Sequence, residues 1–236
     1  MSVANIPIFA YWEAQDQTAI SGMIQEWRGE FSDFRVLDDN KVIPLLKKYF
    51  PQYLDLYVML RIPAAKADVA RLLALCEWGG LYVDCHVGIK DASGLRKLLK
   101  KLTEFEAIFV DRMLSFAPRP PGEHFLINSI MAGRASLELF IGIARAALTN
   151  LARQREIERE KGFTPYHVGD LSGPGVVTSA VLQPGNREIR GDLAGRVLIV
   201  REEALPIERN RHQSYFIPGS HWSHRQNSEL LFWLPI

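Results

Sequence analysis

Between Lys66 and His86 the chain reads KADVARLLALCEWGGLYVDCH. Asp84 and His86 are candidate ligands for a divalent cation, and a guanidinium beside a carboxylate suits hydroxyls and phosphates. At about 100° per residue, Asp68 and Arg71 share one flank of a helix. Ala65, Val69, Leu72, Leu73 and Cys76 form its apolar stripe, with Lys66 and Glu77 on roughly the opposite side. Gly79-Gly80 stops that helix, and Leu81-Tyr82-Val83 reads as a short buried strand. Asp84-Cys85-His86 then falls at the strand's C-terminal end, the edge where open α/β sheets bind ligands. Singly, each piece has an ordinary reading: Asp68 and Arg71 as a surface pair, the glycines as a helix cap. In this order they point to one site.

The pattern Lys-x-Asp-x-x-Arg followed by Gly-Gly-x-Tyr-x-Asp resembles the glycosyltransferases that carry the DXD sugar-binding region. These include yeast-type mannosyltransferases, bacterial capsule and lipopolysaccharide sugar transferases (family 32-like) and, more distantly, the glucosylating clostridial toxins. Lys66, Asp68, Arg71, Gly79, Gly80, Tyr82 and Asp84 match in order and spacing. The second Asp of the motif is His86 here, so DXD stands as Asp-Cys-His.

The resemblance implies a single-domain, GT-A-like (Rossmann-like) α/β fold with a mixed central sheet over residues 1–236. It implies transfer of a hexose from a UDP- or GDP-sugar to a glycan, lipid-linked or other acceptor, with retained anomeric configuration and Mn²⁺ or Mg²⁺. By the same resemblance Asp68, Arg71 and Asp84 are the catalytic candidates. Tyr11, Trp12, Asp68, Arg71, Tyr82, Asp84, Asn128 and Trp222 are the donor-binding candidates. Asp84, His86, His221 and Ser223 are the candidate metal ligands, with His224 as the alternative to His221.

Composition fits a protein of this kind. The chain has 236 residues, 47% of them hydrophobic, enough for one full core. With 28 basic and 27 acidic residues the net charge is +1, which gives no nucleic-acid footprint. Cys76 and Cys85 make no disulfide framework. No apolar run is long enough to span a bilayer, and the N-terminus MSVANIPIFAYW lacks the pattern of a signal peptide. The expectation is a cytoplasmic protein of bacterial type, with peripheral contact at the inner membrane surface left open.

The remaining elements must position the site. Ile6–Trp12 reads as the first core strand, and Tyr11 or Trp12 either stacks on the nucleotide base or packs in the core. Ala19–Arg28 has helical spacing, and Phe34–Leu37 reads as a strand ending in Asp38-Asp39. Those carboxylates fit a helix cap better than a ribose contact. Val42–Phe50 and Tyr53–Leu60 read as helical. Leu95–Leu102 is a short basic helix, and Ala107–Val110, Met113–Phe116 and Val197–Val200 read as strands. Phe125–Ala132 resembles the family segment whose Asn lies by the donor sugar, here Asn128. Leu137–Lys161 reads as a long helix with a solvent-exposed charged half. Ser172-Gly173-Pro174-Gly175 resembles the Thr-Gly-Pro turn that opens a helix near the donor, and the tail YFIPGSHWSHR resembles the family's C-terminal His/Trp/Ser segment.

Because Asp68 and Arg71 lie off the apolar stripe, their alanine variants are expected to weaken donor binding without unfolding the protein. Two other readings stay open: a sugar-nucleotide-binding relative without turnover, and a metallohydrolase built on His86, His221 and His224 with Asp84.

Overall fold

The structure, a computed structural model, describes residues 6–112, 126–184, 188–212 and 222–233. The chain enters as strand β1 (Ile8–Tyr11), followed by α1 (Ser21–Glu30) and β2 (Phe34–Leu37). α2 (Asp39–Tyr49) is capped by Asp38, whose side chain accepts from the Lys41 N–H at 3.1 Å. After α3 (Leu54–Val58) comes α4 (Pro63–Trp78). Pro63 suits the first helical position because its missing N–H has no partner there anyway, and the alanines that follow are good helix formers.

Gly79 ends α4 with its N–H on the Leu75 carbonyl at 2.9 Å, and β3 (Gly80–Val83) begins at the next residue. Both glycines have positive φ, +64° and +98°. A Cβ on Gly80 would come within 2.1 Å of the Pro7 carbonyl oxygen, and one on Gly79 within 2.5 Å of the Ala135 nitrogen. The turn therefore needs residues without side chains on two counts, backbone conformation and close approach.

Strand β4 (Gly88–Ile89), helix α5 (Ala92–Lys100) and strand β5 (Ala107–Asp111) follow. After the Asn128 segment, β6 (Leu126–Gly133), come α6 (Glu138–Lys161), α7 (Val168–Leu171) and α8 (Pro174–Val181). The chain closes with β7 (Val197–Arg201), β8 (Ile207–Glu208) and α9 (Trp222–Arg225). The main sheet has the order β2-β1-β3-β6-β5-β7. β1 pairs in parallel with β2 and β3, β6 runs antiparallel to β3 and β5, and β7 is parallel to β5. The expected α/β class with a mixed sheet is thus the class observed. β4 and β8, which the sequence did not suggest, form a separate antiparallel pair. Met113–Phe116 lies outside the described residues.

Alternation along the strands sorts the core into two layers. Phe9, Tyr11, Tyr82, Phe109 and Met131 face α2, α4, α6 and α8. Ile8, Ala10, Leu81, Val83, Ile108 and Val110 face α1 and α5. Helix α4 lies so deep in the first layer that Lys66, Asp68 and Arg71 are buried along with its apolar stripe. That corrects the expectation of a polar flank whose residues can be removed without cost to folding.

Helix α6 carries a second correction. Its charged half is not wholly exposed, because Gln154 and Glu158 are buried. The Glu158 carboxylate accepts from the backbone N–H groups of Leu231 and Phe232 at 2.9–3.3 Å, fastening the C-terminal segment to the helix. A buried carboxylate is tolerable when it is hydrogen-bonded in this way.

Candidate functional site

The C-terminal end of β3 and the first half of α4 meet in a buried polar cluster. The Arg71 guanidinium lies 3.2 Å from the Asp68 carboxylate and 3.2 Å from that of Asp84. It also donates to the carbonyls of Asn128 at 2.6 Å and Ala67 at 3.1 Å, and its carbon stands 4.7 Å from the centre of the Tyr82 ring. Asp68 receives the Asn128 amide on one oxygen at 2.7 Å and the Ser172 hydroxyl on the other at 2.8 Å. Asp84 is fixed from its backbone, with its N–H on the Ser129 carbonyl at 2.9 Å. Side-chain exposure ranks 4% for Arg71, 6% for Asp68 and 17% for Asp84, so Asp84 is the member nearest solvent.

Burial pushes the Asp68 carboxyl up to about 6; the Arg71 charge and the bonds from Ser172 and Asn128 pull it down, and the Asp84 charge adds to the rise. The turn at the start of α8 is built close against this carboxylate. A Cβ on Gly173 would stand 3.2 Å from the same Asp68 oxygen that Ser172 holds.

A second polar cluster occupies the C-terminal ends of β1 and β2. Asp39 accepts from the hydroxyls of Tyr11 at 2.7 Å and Tyr57 at 2.8 Å, and from the Lys66 ammonium at 2.8 Å. Lys66 also donates to Glu13. Burial alone would raise the Asp39 carboxyl, but the bonds from Lys66, Tyr11 and Tyr57 outweigh it and hold the group below its usual range. Burial opposes the charge on Lys66, yet Asp39 and Glu13 keep that ammonium above its ordinary value. Burial, reinforced by Asp39, raises both tyrosine hydroxyls, so they stay protonated and donate.

The structure gathers Asp68, Arg71, Tyr82, Asp84 and Asn128 from the sequence-derived set. Asn128 sits on a buried strand with its amide satisfied by Asp68. Tyr11 is buried with its hydroxyl on Asp39, which matches the core alternative for that ring. Trp12 is half-buried and its indole N–H donates to the Asp16 carbonyl at 2.9 Å. His86 lies half-buried in the turn after Asp84. Its carbonyl accepts from the His212 N–H at 3.2 Å. Ser223 is half-buried on α9 and His224 is exposed there. His221 and the Trp222 side chain lie outside the described residues.

Among the described residues no three of His, Cys, Asp and Glu come together as a metal shell. Asp84 and His86 are two of the four candidate ligands, and His221 lies outside the described residues. Sequence reasoning named Ser172 only as the first residue of the Ser-Gly-Pro-Gly turn and passed over its hydroxyl, which bonds Asp68. It also passed over Glu13 and Tyr57, for which no local pattern gives a signal.

Residues 10–103, less than half of the chain, are similar to the family described as "Glycosyltransferase sugar-binding region containing DXD motif". No curated protein matches the chain. Among solved structures, "PaToxG Glycosyltransferase" overlaps with a TM-score of 0.42 at 17% identity, covering 75% of this chain and 69% of that one. The ligand-free glycosyltransferase domain from the YGT toxin overlaps with a TM-score of 0.43 at 10% identity, covering 76% of this chain and 55% of the other. Overlaps this loose transfer no residue roles. Among the described residues no helix is long and apolar enough to cross a membrane.

Proposed function

We propose that the protein is a GT-A-like hexosyltransferase of one domain that moves a sugar from a UDP- or GDP-sugar to a glycan, lipid-linked or other acceptor with retention, working in the cytoplasm. The observation that carries this reading is the Arg71 bridge between Asp68 and Asp84 at the C-terminal end of β3, inside the residues similar to the sugar-binding region. Asp84, the most open of the three, takes hydroxyls of the donor sugar. Arg71 acts as a positioning residue: its donors face Ala67, Asn128, Asp68 and Asp84, so it sets the angle of both carboxylates. Asn128 and Ser172 hold Asp68 ionised against its burial. Groups fixed before the ligand arrives hold the sugar hydroxyls in place without reorganising during the reaction.

The DXD class works with a divalent metal, here Mn²⁺ or Mg²⁺, which supplies positive charge to the leaving diphosphate. Since the described side chains do not complete a shell for it, no step is assigned to it. Purified protein should show a rise in melting temperature with a UDP- or GDP-sugar, measured with Mn²⁺ and with EDTA, and should release the sugar slowly to water. Asp84→Asn should abolish turnover while keeping the fold. Melting curves indifferent to every donor would overturn the proposal, and binding without turnover would leave a non-catalytic sugar-nucleotide-binding relative.

A further inference from the structure

The cluster at the ends of β1 and β2 contains one carboxylate with an accepting edge turned to solvent. Asp38 is used as the cap of α2. Asp39 accepts three hydrogen bonds, two on one oxygen and one on the other. Glu13 differs: one of its oxygens meets Lys66, and among the described residues no hydrogen-bond donor meets the second. Its side chain is 37% exposed, whereas the Lys66 side chain that fixes it is 8% exposed. The position of an accessible acceptor is thus set by a buried cation.

The charges say what this place receives. One lysine against two carboxylates leaves the cluster at a net −1, which repels phosphate and suits a group that donates hydrogen bonds. A carboxylate edge can take two neighbouring hydroxyls at once. In nucleotide-binding α/β sheets that chemistry serves the ribose diol.

Geometry joins this place to the sugar end of the same ligand. Lys66 and Asp68 stand two residues apart on α4, and each anchors one cluster. The Tyr11 carbonyl, two residues before Glu13, accepts from the Cys85 thiol at 3.2 Å, which sets the end of β1 beside the Asp84–His86 turn. Resting on the donor reading above, we infer that Glu13, held by Lys66, reads the ribose of the donor nucleotide by accepting from its 2′- and 3′-hydroxyls.

Calorimetric titration with UDP and GDP and their 2′-deoxy counterparts tests this. The nucleotide that binds the wild type should bind about tenfold more tightly than its 2′-deoxy form, as expected for one hydrogen bond to a charged group. In Glu13→Ala the ratio should fall toward one, and the 2′-deoxynucleotide should itself bind more weakly because its 3′-hydroxyl loses the same acceptor. Glu13→Gln keeps an oxygen for Lys66 but loses the charge, and its ratio should fall between the two; it also serves if the alanine variant folds poorly. Full discrimination surviving in both variants overturns the inference, as does a wild type that binds ribo- and deoxynucleotide alike. A wild type that binds neither UDP nor GDP removes the donor reading and this inference together.

Discussion

The Arg71 cluster and the Lys66 cluster start on adjacent turns of α4 but meet solvent differently. Around Arg71 the carboxylates of Asp68 and Asp84 have side-chain exposures of 6% and 17%. Around Lys66 those of Asp39 and Glu13 have 30% and 37%. Both clusters surround a buried cation with two carboxylates. In the first, the cation's neighbours are themselves shut in, so losing one partner strands charge in a low-dielectric place. In the second, water can replace a lost partner. The same pairing of charges therefore leaves one narrowly open carboxylate, Asp84, in the first place and two wider-open ones in the second.

Breaking the first cluster should give the largest effect. Arg71→Ala leaves Asp68 buried opposite no cation and should cost about 3–5 kcal/mol in urea unfolding. Arg71→Lys should recover little of that loss, since a single ammonium cannot reproduce a planar fork that reaches two carboxylates and two carbonyls. A loss under about 1 kcal/mol would place both clusters in the same class.

Next comes pH. The Asp68 carboxyl is raised to about 6 in the folded protein from its ordinary 3.8. Between those limits the folded form holds a proton that the unfolded chain has released. This group's stabilising contribution is present in full below about pH 4 and is lost as pH rises through about 6, a swing on the order of 3 kcal/mol. Asp68→Asn should flatten stability against pH in that window relative to wild type. Parallel curves for the two proteins would show that Asp68 does not titrate there.

The smallest effect should follow removal of Glu13. Its side chain is more than a third exposed and Lys66 retains Asp39, so Glu13→Ala should cost about 1 kcal/mol or less. A loss matching that of Arg71→Ala would erase the distinction between the clusters.

Much of α4 and β3 was legible because periodicity, a glycine stop and a short apolar run are local signals. The cap at Asp38 was legible for the same reason. Burial of Asp68 and Arg71 was not, since polar residues three apart on a helix look like a surface pair until their partners are known. Those partners, Asn128 and Ser172, lie 60 and 104 residues away from Asp68 along the chain. Glu158 misled in the same way: it sits in a mixed-charge run, but its partner is the Leu231 backbone 73 residues on. The family-like tail centred on His221 lies mostly outside the described residues, and its expected ligands gained no geometry.

The glycine pair between α4 and β3 fixes how much length variation this part of the chain can absorb. One residue, Gly79, separates the helix from the strand, and both glycines are packed against backbone from Pro7 and from Arg134–Ala135. There is no slack in which an inserted residue could bulge. Because side chains alternate across a strand, a shift of one position would turn Asp84 to the opposite face of the sheet and bring Val83 or Cys85 toward Arg71. Substitution of the residues around the bridge is therefore a gentler change than any insertion or deletion between Arg71 and Asp84. A one-residue length change there should leave an α4 that still forms and a site that no longer closes.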